Sequence, residues 1–293
     1  MATPEQKAGD GTSLGFPVNV EVMFSDHKGK YNKRIEKRQR SYTKTLPDLG
    51  RFMDKDEKVL LIARGCSPMS FMEQYLTGWI IYYLKRAVFK FTSRRLFHIP
   101  TTSSFKYRNS IAEIRYADTK SISLSGGTLK VQYRSGKTEK FIYISRPERK
   151  KIKELLGKIS HEGTLSDYPA RNHLCPKCTK PLQKDNYTCP SCRLQFKSVA
   201  EGRMKSIIFP GGGYFYAGHP FLGLADAFVE IILIFVVAAG IIDLVNGVPD
   251  SGAMLIFYGI ILALEKITSV YHSNHFLKEY LPKDRNISPV AGV

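Results

Sequence analysis

Two long apolar runs near the C-terminus, Leu222 to Val245 and Gly252 to Tyr271, constrain this chain more than any other feature. Each is about twenty residues, enough at 1.5 Å per residue to cross roughly 30 Å of hydrocarbon. Asn246-Gly247-Val248-Pro249-Asp250-Ser251 between them is turn chemistry. The pattern predicts a transmembrane helical hairpin over 221–275. Lys197, Arg203 and Lys205 precede it, Lys278, Lys283 and Arg285 follow it, and the turn carries no Lys or Arg. Retention of flanking cations on the inner side therefore predicts two cytoplasmic termini, with 276–293 as a tail. Met1 to Phe16 contains Glu5 and Asp10 and lacks the apolar core of a secretory signal.

Charges inside the hairpin sharpen the expectation. Asp226 and Glu230 are four apart and share a helical face. Glu230 lies fourteen residues before Leu244, and Lys266 fourteen after Gly252. Antiparallel helices of equal rise place both about 21 Å from the outer ends, so a Glu230–Lys266 contact is expected with Asp226 nearby. Such a trio is either a proton or partner-helix site, or simple neutralisation near the inner interface or snorkelling of Lys266; the plain alternatives are the expectation adopted.

The cysteines indicate a reducing compartment. Cys175, Cys178, Cys189 and Cys192 form two C-x-x-C pairs separated by ten residues, and Cys66 stands apart. Two thiolate knuckles at this spacing close a tetrahedral site with no open position, which points to structural zinc rather than a disulfide framework. An iron centre or a redox dithiol remains open. Residues 171–198 resemble a zinc ribbon, with Tyr187 and Phe196 placed to shield the metal. So short a segment depends on the metal for its folding free energy.

The chain of 293 residues carries 44 Lys+Arg against 26 Asp+Glu, a formal charge of +18. That excess asks for an anionic partner, and the apolar C-terminal third favours phospholipid over nucleic acid, which stays possible. From His27 to Arg40, seven Lys/Arg face one Glu without apolar periodicity, so 1–45 is expected to be a mobile basic arm.

Residues 46–160 read as β-rich. Val59–Ala63, Ala87–Phe91, Arg95–Ile99, Ser121–Leu124, Thr128–Arg134 and Thr138–Ile144 are strand candidates. Gly126-Gly127 and Ser135-Gly136 supply tight hairpin turns. Ser145-Arg146-Pro147-Glu148 is a capping-box pattern, followed by Ile152, Leu155, Leu156 and Ile159 on one helical face. Three pieces, Asp56-Glu57-Lys58-Val59-Leu60-Leu61, Phe91-Thr92-Ser93-Arg94-Arg95-Leu96-Phe97 and the final β-β-helix, resemble the bacterial pleckstrin-homology-like family and its GRAM relatives. The resemblance covers about a hundred residues. It implies a seven-stranded, strongly bent barrel or sandwich with a C-terminal helix, which binds a protein segment or lipid headgroups.

Two constellations fall in this stretch. No acidic residue occurs between Glu73 and Glu113, whereas Lys85, Arg86, Lys90, Arg94 and Arg95 are cationic, as are Lys106 and Arg108. If Ala87–Phe91 and Arg95–Ile99 pair, the hairpin turn carries Arg94 and Arg95 and its mouth Lys85 and Arg86. With Lys90, such a cluster would meet phosphates of a membrane surface, a headgroup or a nucleic acid; a solvated face is the plainer alternative. Phe71, Tyr75, Trp79 and Tyr82, with Tyr83 beside them, follow helical spacing ahead of Lys85-Arg86. They read either as an interfacial anchor or as core packing under the barrel, and core packing is the expectation adopted.

Residues 161–170 read as a linker. Residues 199–220 read as an interfacial or re-entrant element, because Pro210-Gly211-Gly212-Gly213 breaks a spanning helix among interface-loving Tyr and Phe. Tyr216-Ala217-Gly218-His219-Pro220-Phe221-Leu222-Gly223 with the hairpin resembles the bacterial two-transmembrane-helix domain family over about seventy residues. The family implies no catalysis. The seven His are scattered and no hydrolase or metalloprotease motif occurs. The expectation is a multidomain α+β protein of the bacterial inner membrane: a pleckstrin-homology-like β-barrel with a C-terminal helix, a zinc ribbon and a C-terminal hairpin. Its role is non-enzymatic, an adaptor or sensor; a tethered nucleic-acid binder or a transporter accessory subunit is the alternative.

Overall fold

The computed structural model describes residues 15–46, 49–166, 168–284 and 287. It divides into a sheet unit reaching Cys192 and a hairpin unit from Arg193 to Arg285.

The sheet unit opens with α1, Lys33–Thr43, and continues with β1, Val59–Cys66, and α2, Phe71–Thr77. Then follow β2 (Arg86–Thr92), β3 (Arg95–Pro100), β4 (Ile111–Arg115), β5 (Thr119–Ser125), β6 (Thr128–Tyr133), β7 (Thr138–Phe141), α3 (Arg149–Leu156) and β8 (Asn172–Leu174). All ladders are antiparallel, and the sheets run β1-β2-β3-β4-β8 and β5-β6-β7. The sheets do not close, so the expected barrel is corrected to two open sheets. Leu61, Phe89, Phe91 and Ile114 of the first pack with Val131, Tyr133 and Phe141 of the second and with Ile152 and Leu155 of α3. Positive φ at Gly126, Gly127 and Gly136 makes the two β5–β6–β7 turns. Helix α3 begins at Arg149 after a short turn, and Ser145 Oγ donates to Glu148 rather than capping the helix.

The basic arm is corrected as well. The other face of the larger sheet is buried under Phe16, Met23, Phe24, Tyr42, Leu49 and Phe52. Burial on both faces explains why β2 and β3 read as nearly unbroken apolar runs. Helix α1 starts on an Asn32 cap whose side chain accepts from Arg34 N and Ile35 N, and its inner face is Gln39, Tyr42 and Thr43. Gln39 acts as a surrogate strand: Nε2 donates to Ile62 O at 2.8 Å and Oε1 accepts from Ile62 N at 2.9 Å. It thereby occupies backbone groups on β1, which stands at the edge of the sheet. Residues 1–14 of the expected arm lie outside the described residues.

In the hairpin unit, α4 (Val199–Ile208) and α5 (Gly212–Ala217) precede α6 (Pro220–Val245) and α7 (Ser251–Leu277). The last two are long and apolar enough to cross a membrane. The segment read as interfacial or re-entrant is two helices packed on the hairpin. A Cβ on Gly213 would collide with Ser206 Oγ of α4 and crowd Ser273 of α7, and one on Gly212 would strike Lys205 O. Close helix approach is thus what the consecutive glycines permit. The tail reading is corrected over 276–284: Leu277 and Leu281 are buried, and Lys283 N donates to Gln195 O at 3.0 Å.

Candidate functional sites: a cysteine cluster, an aromatic shelf and a charged hairpin

The Cys175, Cys178, Cys189 and Cys192 sulfurs all lie within 4.8 Å of one another. Cys175 and Cys192 Sγ are 3.5 Å apart, and Cys178 and Cys189 Sγ 3.6 Å. A disulfide would bring sulfurs to about 2.05 Å, whereas zinc at about 2.3 Å from each would hold them roughly 3.8 Å apart. The Lys177 and Cys178 amides donate to Cys175 Sγ, and those of Ser191 and Cys192 to Cys189 Sγ. Each knuckle thus directs backbone dipoles at a thiolate, and the cluster could hold a zinc ion. Burial raises the Cys175 thiol, while the amides and neighbouring thiols leave Cys189 below its ordinary value. Two details differ from expectation. Strand β8, just before Cys175, pairs with β4 and makes this segment part of the larger sheet rather than a free ribbon. Phe196, expected to shield the metal, belongs to the hairpin unit and meets Tyr280 there at 5.9 Å.

The five cations expected to cluster on the hairpin do not form one surface. Lys85 is buried and pairs with Glu73 at 3.1 Å. Lys90 is fully buried, its Nζ 3.5 Å from the Phe16 ring centre. Arg95 bonds Glu57 at 2.7 Å, Glu113 at 2.5 Å and Asp54 at 3.0 Å, and hydrogen bonds to Glu57 and Glu113 hold its guanidinium well above its ordinary range. Arg94 makes an exposed pair with Asp54. The acid-free stretch misled because the fold draws carboxylates from outside it, with Asp54, Glu57 and Glu73 before and Glu113 after.

Arg86 behaves otherwise. Its guanidinium lies 4.4 Å from the Tyr83 ring centre and 4.8 Å from Phe105, and it donates to Ser103 O. Arg64, overlooked in the sequence, lies between Tyr42 at 4.4 Å and Phe105 at 4.2 Å, with Nε buried and unbonded. Among the described residues no carboxylate pairs with either. Both line a cavity of about 560 Å³ with Trp79, Tyr82, Tyr83 and Tyr143. Cys66 sits at its wall, its thiol pushed up to about 11 by burial and so held protonated. Beside the cavity, Phe71, Tyr75 and Trp79 are 77%, 74% and 70% exposed, which overturns the expected core packing. Helix α2 starts on a Ser70–Glu73 capping box, and Glu73, Ile81 and Lys85 take the inward positions instead. The box was the readable signal that a helix, not a buried strand, follows β1.

In the hairpin, Lys266 Nζ donates to Glu230 Oε2 at 2.6 Å and to Ser206 O at 3.0 Å. Asp226 accepts from Ser269 Oγ at 3.0 Å. Glu265, also overlooked, brings a third carboxylate within 4.8 Å of Asp226 and Glu230. Its signal was the Glu265-Lys266 doublet, read for its cation alone. Comparison with family models, curated proteins and solved structures finds no match for this chain.

Proposed function

We propose that this protein is a non-enzymatic, membrane-anchored adaptor whose sheet unit docks an acidic segment of a partner protein at the Arg64–Arg86 cavity. The carrying observation is the surface itself: two guanidiniums on aromatic faces, without carboxylate partners among the described residues, beside a shelf of exposed rings. Aromatic and Arg side chains around a concave pocket are the composition of a binding hot spot. The cavity accepts a carboxylate through the Arg forks and an apolar flank on Trp79 and Tyr143. The hairpin holds the chain in a bacterial inner membrane with both termini cytoplasmic, and the cysteines carry one structural zinc. The pleckstrin-homology-like reading is kept for the sheet unit on the order of its strands and the helix after the last one.

A photocrosslinker at Tyr83 of the full chain in cells tests the docking surface. The expected outcome is one discrete protein adduct, abolished by Arg86→Glu and retained in Arg94→Glu. Adducts to lipid alone, or an adduct indifferent to Arg86, overturn it. Reporter fusions at Gly247 test the topology, and activity of a cytoplasm-specific reporter there would reverse it. The nucleic-acid reading drew on the basic arm and the ribbon together, and α1 of that arm packs on the sheet; salt-dependent nucleic-acid binding by the full chain would favour it. A transporter-accessory role draws on the carboxylates of the hairpin; co-purification with a multi-span protein that survives high salt would favour it.

A further inference from the structure

In the hairpin unit, α4, α5 and the chain after α7 line an open cavity of about 610 Å³ that the docking role leaves unused. Its polar wall is Lys197, Glu201, Lys205 and Lys283; its apolar wall includes Phe209, Phe215 and the Tyr216 ring. Tyr216 is the hub. Its carbonyl accepts from Lys197 Nζ at 2.6 Å, its ring centre lies 4.3 Å from Lys205 Nζ, and its hydroxyl donates to Glu201 Oε2 at 2.7 Å. Glu201 also pairs with Lys283 at 2.9 Å and Lys205 at 3.4 Å. Hydrogen bonds from Lys283 and Tyr216 hold its carboxyl down at about 2, so it is ionised at neutral pH.

Lys205 and Lys283 thus share one carboxylate, leaving one positive charge (2 − 1) between them. An anion balances that charge. The rim says which kind. Phe209 on that rim is 59% exposed, Ile207 and Ile208 just before it in the chain are 63% and 59% exposed, and the same unit holds helices long enough to span a bilayer. A free anion has no use for such a rim, whereas a phosphate carrying acyl chains satisfies both walls. Lys205 and Lys283 side chains are 42% and 40% exposed, with their ammonium groups available to a headgroup while Glu201 orients them. We infer that this cavity binds the headgroup of an anionic phospholipid, with the phosphate between Lys205 and Lys283 and the acyl chains leaving along Phe209 and Phe215.

The test is native mass spectrometry of the full chain in detergent with equimolar phosphatidylglycerol and phosphatidylcholine. Wild type should retain phosphatidylglycerol preferentially. Lys205→Gln with Lys283→Gln should reduce that preference about thirtyfold, at roughly one headgroup contact per lysine. Lys205→Arg with Lys283→Arg should keep it, and Lys278→Gln, outside the cavity, should leave it unchanged. Equal retention of the two lipids by wild type overturns the inference, as does an unchanged preference in the double Gln variant. Displacement of phosphatidylglycerol by inorganic phosphate at equal concentration makes this a free-phosphate site and overturns it too. Should the double Gln variant fail to fold, the wild-type ratio and the Arg pair still decide.

Discussion

Around Arg95 the sheet unit gathers Asp54, Glu57 and Glu113, and it seals Lys85 against Glu73; in the hairpin unit Asp226, Glu230 and Glu265 crowd near Lys266, while Lys205 and Lys283 share Glu201. The first unit mixes its charges across strands distant in the chain, and the second mixes them between packed helices and the chain after α7. In the first, mixing needs partners from distant strands, which a folded sheet supplies; Arg95 and Glu113 lie on the paired strands β3 and β4. A run of cations in a sequence is thus no evidence of a cationic surface until the strands that flank it are known.

The largest expected effect tests whether the sheet unit depends on metal as well as on charge. Cys175→Ser should lose the one zinc predicted per chain, and β8 with it, because structural zinc contributes about 10–16 kcal/mol of apparent binding free energy to such segments. Metal analysis and limited proteolysis around Asn172 check this; zinc-free protein with an intact β8 would falsify the site. Chelation should also open Cys175, Cys178, Cys189 and Cys192 to alkylation while buried Cys66, with its raised thiol, stays slow.

Arg95→Met comes next. It strands Glu57, which is fully buried, and should cost about 3–5 kcal/mol, seen as a lower thermal midpoint of the full chain. In the hairpin, Glu230→Lys sets two cations together and should lower membrane accumulation severalfold, with Lys266→Glu in the same chain restoring it. Full accumulation of the single variant would mean that the charges are solvated rather than matched. The smallest effect belongs to Arg94→Ala. Its pair with Asp54 is about half exposed on both sides, so the loss should stay below about 1 kcal/mol.

Much of this could be read in advance where chemistry is local. The turns at Gly126-Gly127 and Gly136, the cysteine spacing, and the equal depth of Glu230 and Lys266 all follow from short-range geometry. What escaped was long-range. Helix α1 was hidden because its inward face is polar, with Gln39 buried for its bonds to β1 rather than for apolar area. Strand β4 was hidden because Glu113 interrupts its apolar alternation in order to meet Arg95. Strand β8 has three residues and exists through β4. The outward-turned rings at 71–79 run against hydrophobic expectation, and that conflict is what marks the shelf as a surface for something else.

The way the larger sheet is bordered has a consequence during synthesis. The segment with Gln39 leaves the ribosome before the β1 edge it occupies, so that edge is attended from the moment it forms. The opposite edge, β4, ends at Arg115, and its partner β8 begins at Asn172, 57 residues later (172 − 115). At about 5–20 residues per second that is roughly 3–11 s during which β4 stands open to any strand nearby. The nascent chain is therefore most exposed to mispairing late in translation, until the cysteine segment emerges to complete the sheet.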